Sequence, residues 1–246
     1  MQADEYRRLY ENEDTYWWFV ARRRLAQRLL RASVPTGSVV LDLGCGTGAM
    51  LAEVRNEFKS LGMDCSHLAL ECCHNRGLDN VLLAEGTHIP VLDAAIDGVV
   101  SLDVLEHIDR VDAAIRECAR ILKPGGVLVV SVPAFRWLWG PHDVALMHFR
   151  RYTRRELKSA LTSAGFRVIR SSYSVFILFP VVVLIRLRDR LRKGDPEVRL
   201  PRVSKSMNRL LIWLMDLESA IIARIALPWG SSVVAVALRT PVPQEQ

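Results

Sequence analysis

Short apolar runs alternate with longer amphipathic stretches along most of this chain, and that alternation predicts its elements. The run Val39-Val40-Leu41 opens the series, and further strands are predicted over 59–63, 80–84, 98–102, 127–132, 166–170 and 233–238. Helices fall between them, at 67–76 and at 110–122, where Val111, Ala114, Ile115, Cys118 and Ile121 recur at helical spacing. Thr153 and Glu156 form a capping-box pattern that starts another helix, and Gly165 stops it. Strands and helices in this order predict an α/β chain. Its sheet is expected to be doubly wound and mostly parallel, seven-stranded, with helices on both faces.

Two segments stand outside the alternation. Residues 1–31 read as helical and become strongly basic, interrupted by Tyr16-Trp17-Trp18-Phe19. Aromatics beside arginines suit a lid over a ligand, and equally a helix packing its rings on the sheet. Residues 175–193 are apolar, then amphipathic, with Leu184, Leu187 and Leu191 on one face and Arg186, Arg188, Arg190, Arg192 and Lys193 elsewhere. Gly194-Asp195-Pro196 breaks the pattern, and 207–227 reads as a second apolar helix. The expected organisation is an N-terminal lid over 1–36, a ligand-binding domain over 37–173 and 231–240, and a helical insertion over 174–230.

Composition narrows the setting more than the chemistry. A chain of 246 residues, half of them hydrophobic, can bury one large α/β core. Its five cysteines (Cys45, Cys65, Cys72, Cys73 and Cys118) form no C-x-x-C pair, which suits reduced thiols in the cytoplasm and gives zinc no paired spacing. The N-terminus has no signal-like apolar segment, and the most apolar run, 175–185, is shorter than the ~20 residues a spanning helix needs. A net charge of +6 suits nucleic acid, an anionic membrane surface or a phosphorylated substrate.

The first strand leads through Asp42 into Gly44, Gly46 and Gly48, a strand, tight turn and helix start where a nucleotide-like ligand would lie. Gly44-x-Gly46-x-x-Ala49 followed by Asp64 also fits a loose dinucleotide pattern, so a nicotinamide oxidoreductase competes at this point. Further motifs separate the two. VVLDLGCGTG, LGMDCS, AEGTHIP, DGVVSLDVLEHI and ILKPGGVLVVSVP occur in the order of the class I S-adenosylmethionine-dependent methyltransferases, and the chain resembles that family from about Val39 to Arg170 and in its last strand. The resemblance is to bacterial members with a type 11-like domain and a small-molecule or lipid-type acceptor. It implies a Rossmann-like fold, S-adenosylmethionine as cofactor and S-adenosylhomocysteine as product. It also implies cofactor contacts: Asp42, Gly44, Cys45, Gly46 and Gly48 at the methionine end, Asp64 on the ribose hydroxyls with Cys65 beside it, Glu85 and Gly86 near the adenine, and Ser101, Leu102 and Asp103 near the sulfonium. A non-catalytic protein keeping this fold is the other alternative.

Catalytic candidates lie in two stretches past the strand ends. His107 follows Glu106 after the fourth strand; His142, Asp143, His148, Arg151 and Tyr152 follow the fifth. A histidine with an ordinary pKa near ~6.5 suits a general base, and arginine forks suit an anionic substrate group. No metal is expected, since methyl transfer needs none. The expected partner is a small-molecule or lipid-linked substrate. The insertion is read as a pocket cover, a homodimer surface or a contact with the inner face of the membrane. Nucleic acid fits worse, because the basic residues border apolar helices and no RNA-binding module is recognisable.

Overall fold

The computed structural model describes residues 3–191 and 201–240. Two helices, α1 (Ala3–Asn12) and α2 (Trp17–Arg31), precede β1 (Val39–Leu43), α3 (Ala49–Val54), β2 (Lys59–Asp64), α4 (His67–Asn75), β3 (Val81–Leu83) and β4 (Ile96–Leu102). Then come α5 (Val111–Ile121), β5 (Leu122–Pro133), the short α6 (Pro141–Ala145), α7 (Arg154–Ser163), β6 (Phe166–Ser174), α8 (Phe179–Leu191), α9 (Lys205–Ile222) and β7 (Ser232–Arg239). The strands form one sheet in the order β3-β2-β1-β4-β5-β7-β6. The first five pair in parallel and β7 runs antiparallel to both neighbours, so the sheet is mostly parallel.

Alternate residues of each strand feed opposite faces. Leu41 and Leu43 join Ile115, Ile121, Leu157 and Leu161 in one buried layer, while Val40 joins Leu29, Leu30, Met50 and Ile222 in the other. Strands covered on both sides must be apolar throughout, which is why the runs in the sequence were continuous. The order reverses between β1 and β4, and their carboxyl ends diverge there into a crevice. The predicted capping box is present: the Thr153 hydroxyl accepts from the Glu156 amide at 3.2 Å, and the Glu156 carboxylate accepts from the Thr153 amide at 2.6 Å.

The insertion differs from its prediction at both ends. Its first helix begins at Phe179, because Val175 takes a left-handed φ of 60° and the buried Glu218 of α9 accepts the amides of Val175 and Ile177 at 2.5 and 3.0 Å. The second ends at Ile222. Arg192, Lys193 and the break at Gly194-Asp195-Pro196 lie outside the described residues. On α9, Met215, Glu218, Ser219 and Ile222 share one buried face, which packs on α2. Arg24 pairs with Asp216 at 2.5 Å and Arg28 donates to Ser219 at 3.0 Å, so the N-terminal segment and the insertion form one cover.

Candidate active site

The glycine loop after β1 has the backbone its sequence requires. Gly44, Gly46 and Gly48 all take positive φ, at 71°, 54° and 87°, and a Cβ on Gly48 would stand 2.7 Å from Leu78 and 2.9 Å from the Cys73 sulfur. Asp64 closes β2 with its carboxylate on this loop, accepting from the Gly46 and Ser66 amides at 3.0 Å each. Burial raises its pKa against those amides. Asp42 is buried under the loop, and desolvation lifts its carboxyl to about 7. Glu85 and Cys65 are exposed at neighbouring strand ends, close enough for the Glu85 charge to act on the thiol. Gly86 packs beneath them, where a Cβ would meet Ile108 at 2.8 Å. All five cysteines are free.

The first helix closes over this loop. Tyr6 reaches Asp64 at 3.3 Å, Leu9 sits over Gly46, and Glu13 bonds Thr47 and pairs with Arg76 at 2.9 Å. Nothing in the sequence pattern pointed to Tyr6, Glu13 or Thr47, because each acts across 34 residues or more.

At the end of β4, Asp103 has a left-handed φ of 56°, pairs with Arg22 of α2 and accepts from the Ser131 hydroxyl at 3.2 Å. Ser101 is buried below it and Leu102 is half-buried. A single 3-10 turn, Leu105–His107, follows. The loop after β5 folds onto that turn: the Phe149 amide donates to the Glu106 carbonyl at 2.8 Å, and the rings of His107 and His148 meet edge to face with centroids 4.6 Å apart.

The predicted catalytic residues divide into two kinds. Asp143, 0% exposed, accepts from Arg151 at 2.7 and 3.1 Å, bonds His148 Nδ1 at 2.9 Å and accepts the Gly140 amide at 2.9 Å. Burial would raise its carboxyl, but these bonds outweigh burial and hold it well below the usual range. Arg151 is itself 6% exposed and donates to the Ala134 carbonyl at 2.9 Å. The expectation that Arg151 clamps a substrate anion is therefore corrected, since its guanidinium is spent on holding the loop. The histidines also depart from expectation. Burial and the neighbouring His148 lower His107 to about 4, and burial and the Arg186 charge lower His142 to about 4. Both are neutral at pH 7, and both are weaker bases than an ordinary imidazole. Tyr152 is buried, with its hydroxyl without a hydrogen-bond partner and burial pushing its pKa up to about 12.

Two openings reach this region. A narrow cavity of about 30 Å³, room for roughly one water, lies between Trp17, Trp18, Arg22, Met215 and the strand ends at Leu102 and Ser131. A wide cleft of about 680 Å³ is lined by Arg136, Trp139, Phe149, Arg150, Tyr152 and Glu156, with the mostly buried Arg151 reaching its wall.

The model of the methyltransferase-domain family matches residues 16–171. This chain belongs to that family. Among its relatives, the tRNA (carboxymethyluridine(34)-5-O)-methyltransferase of Arabidopsis thaliana is 35% identical over 118 residues, 47% of this chain and 28% of that protein. A Mycolicibacterium smegmatis protein named "Probable S-adenosylmethionine-dependent methyltransferase" is 33% identical over 167 residues, 63% of this chain and 61% of that one. The chain thus spans less than two thirds of the length of these relatives. In fold it is similar to a chain from the complex between the Haloferax volcanii Trm112 methyltransferase activator and a methyltransferase, with a TM-score of 0.64, 18% identity, and 99% and 96% of the two chains covered. S-adenosylmethionine is the methyltransferase cofactor. The loop fits it: three left-handed glycines make a turn packed so closely that a Cβ on Gly44 would strike Val104 and one on Gly48 would strike Leu78 and Cys73, and Asp64 presents a carboxylate at its rim. Because one relative is named as a tRNA methyltransferase and one structural neighbour comes from a complex with Trm112, the expectation that nucleic acid fits worse has no support from them.

Proposed function

We propose that this methyltransferase acts on a small-molecule or lipid-linked acceptor that enters between the α2–α9 cover and the ends of β4 and β5. The observation that carries this reading is the cover itself. Trp17, Trp18, Met215 and Val234 surround the strand ends there, with Arg22 and Glu218 as the charged groups, a lining that suits an apolar acceptor with one polar end once the cover parts to widen the narrow cavity. Held at Gly44, Gly46, Gly48 and Asp64, S-adenosylmethionine supplies a sulfonium methyl. The protein's part is to orient the acceptor and exclude water, and orientation alone contributes roughly 7–11 kcal/mol in well-aligned reactions. Asp103, fixed by Arg22 and Ser131, stands at the β4 end to fix the acceptor. His107 and His142 are weakened as bases, so this reading assigns neither to the acceptor's proton.

The outer side of the cover supports a lipid-borne acceptor. Leu210, Trp213 and Leu217 are exposed at positions i, i+3 and i+7 of α9, with Arg202, Lys205 and Arg209 exposed nearby. An apolar stripe edged by cations matches the anionic inner face of a membrane. No helix among the described residues is long and apolar enough to cross one.

A second reading rests on the wide cleft. Exposed Phe149, with Trp139, Arg136 and Arg150, offers ring faces and guanidinium groups of the kind that hold unstacked bases, and the Arabidopsis relative is named for tRNA. Incubating the protein with methyl-labelled S-adenosylmethionine and, separately, a lipid and small-molecule extract or total tRNA distinguishes the two. Label in the extract is expected. Label in tRNA alone would replace the first reading with the second.

A further inference from the structure

Beyond the residues already given a part, the most unusual group at the β4 end is Glu106, in the turn that follows the strand. Its carboxyl is 0% exposed and neither oxygen has a hydrogen-bond partner. A buried carboxyl in that state costs several kcal/mol unless something meets it. What lies beside it is His107 and His148, and one ligand atom from each of the three residues falls within 4.8 Å of the others. One imidazole is already oriented from behind: His148 Nδ1 is engaged by the buried Asp143 carboxylate at 2.9 Å, which leaves its Nε2 over, and the His107 ring is held edge to face against it. Carboxylate and carbonyl bonds behind the ring are what fix metal-ligating histidines in the right tautomer.

We propose that Glu106, His107 and His148 form a binding site for a divalent first-row transition ion of the Zn²⁺ or Mn²⁺ class. Two imidazoles with one carboxylate suit these ions better than Mg²⁺ or Ca²⁺, which prefer all-oxygen shells. Ligands around such an ion, each at about 2.0–2.2 Å, sit roughly 3–3.5 Å apart. Closing from 4.8 Å asks only for side-chain rotations of about an ångström. Three protein ligands leave open positions, and the site stands one turn beyond Asp103 at the β4 end, where the acceptor is expected. An ion there would hold an acceptor oxygen and lower its pKa. That use rests on the methyltransferase reading; the binding itself does not.

The test is therefore run without S-adenosylmethionine or acceptor. The 246-residue chain, freed of metal with chelator, is titrated with Co²⁺, followed by the visible absorption of ligated cobalt, and with Zn²⁺ by competition. The expected result is one ion per chain, with affinity reduced tenfold or more by Glu106→Gln and by His148→Ala, and by on the order of 10–100-fold by Asp143→Asn, which weakens the carboxylate that orients His148. No cobalt spectrum, or binding unchanged by Glu106→Gln and His148→Ala, would overturn the proposal. Circular dichroism and S-adenosylhomocysteine binding establish that each variant is folded. Should a variant not fold, X-ray absorption on the zinc-loaded wild type decides: two imidazole nitrogens with carboxylate oxygen support the site, and a shell containing sulfur or oxygen alone refutes it.

Discussion

The two halves of this crevice are built in opposite ways. The cofactor half is mostly backbone from one continuous stretch: three glycines, a strand end and Asp64, which meets Gly46 from only 18 residues away. The acceptor half is assembled from side chains that the fold brings together, with Arg22 reaching Asp103 across 81 residues and Arg24 reaching Asp216 across 192. A backbone cradle tolerates change around it but not in it. A side-chain assembly is open to revision at each contact, which suits the half that must adapt to an acceptor.

The sharpest way to break this comparison is at Arg151. Arg151→Ala strands the Asp143 carboxylate in the interior, and we expect about 3–5 kcal/mol loss of stability, read by denaturant unfolding. Arg150→Ala, at the mouth of the cleft, gives up one bond to the Asp109 carbonyl and should cost no more than about 1.5 kcal/mol. Equal stability losses in the two would contradict the placing of Arg151 inside the loop and of Arg150 at its edge. In the cofactor half, Gly48→Ala forces an alanine to φ 87° against Cys73 and Leu78, and should cost about 1–3 kcal/mol along with cofactor affinity. Serine substitution of the exposed Cys65 should leave stability unchanged.

A smaller effect follows from His142. In the unfolded chain it charges below its ordinary 6.5, whereas the folded chain keeps it neutral down to about 4. Unfolding therefore takes up a proton in that window, and this histidine makes the fold less stable as pH falls from 6.5 toward 4. His142→Asn removes that slope. The wild type minus variant stability difference should rise with pH across the window and stay level above it; a flat difference throughout would show that His142 is not held neutral. The smallest structural effect is expected at Trp213, 60% exposed on α9. Trp213→Glu should leave the melting temperature unchanged yet weaken salt-sensitive sedimentation with anionic liposomes. Unaltered sedimentation would remove this stripe from the membrane contact and favour a homodimer through the same face.

The same contrast explains what could be read in advance. Sheet, helices and the glycine loop follow from local periodicity and from glycine's freedom at positive φ, and they stand near their predicted positions. The segment 134–152 was legible as chemistry but not as roles. A sequence shows that Asp143, His148 and Arg151 are close together, but not that Asp143 points inward and takes Arg151 with it. Glu106 was visible beside His107, yet its burial without a partner is a property of packing that no spacing reveals. Tyr6 and Glu13 left no signal, because a helix that closes on a loop looks like any other amphipathic helix.

The central claim is that Asp64 and the glycine loop hold S-adenosylmethionine. Calorimetric titration with S-adenosylhomocysteine and with NADH tests it directly, on the wild type and on Asp64→Ala. We predict one S-adenosylhomocysteine site per chain, no heat from NADH, and an affinity reduced by about 100-fold in Asp64→Ala, as loss of charge-assisted hydrogen bonds worth about 1.5–3 kcal/mol each implies. Binding of NADH alone, or S-adenosylhomocysteine binding untouched by Asp64→Ala, would contradict it.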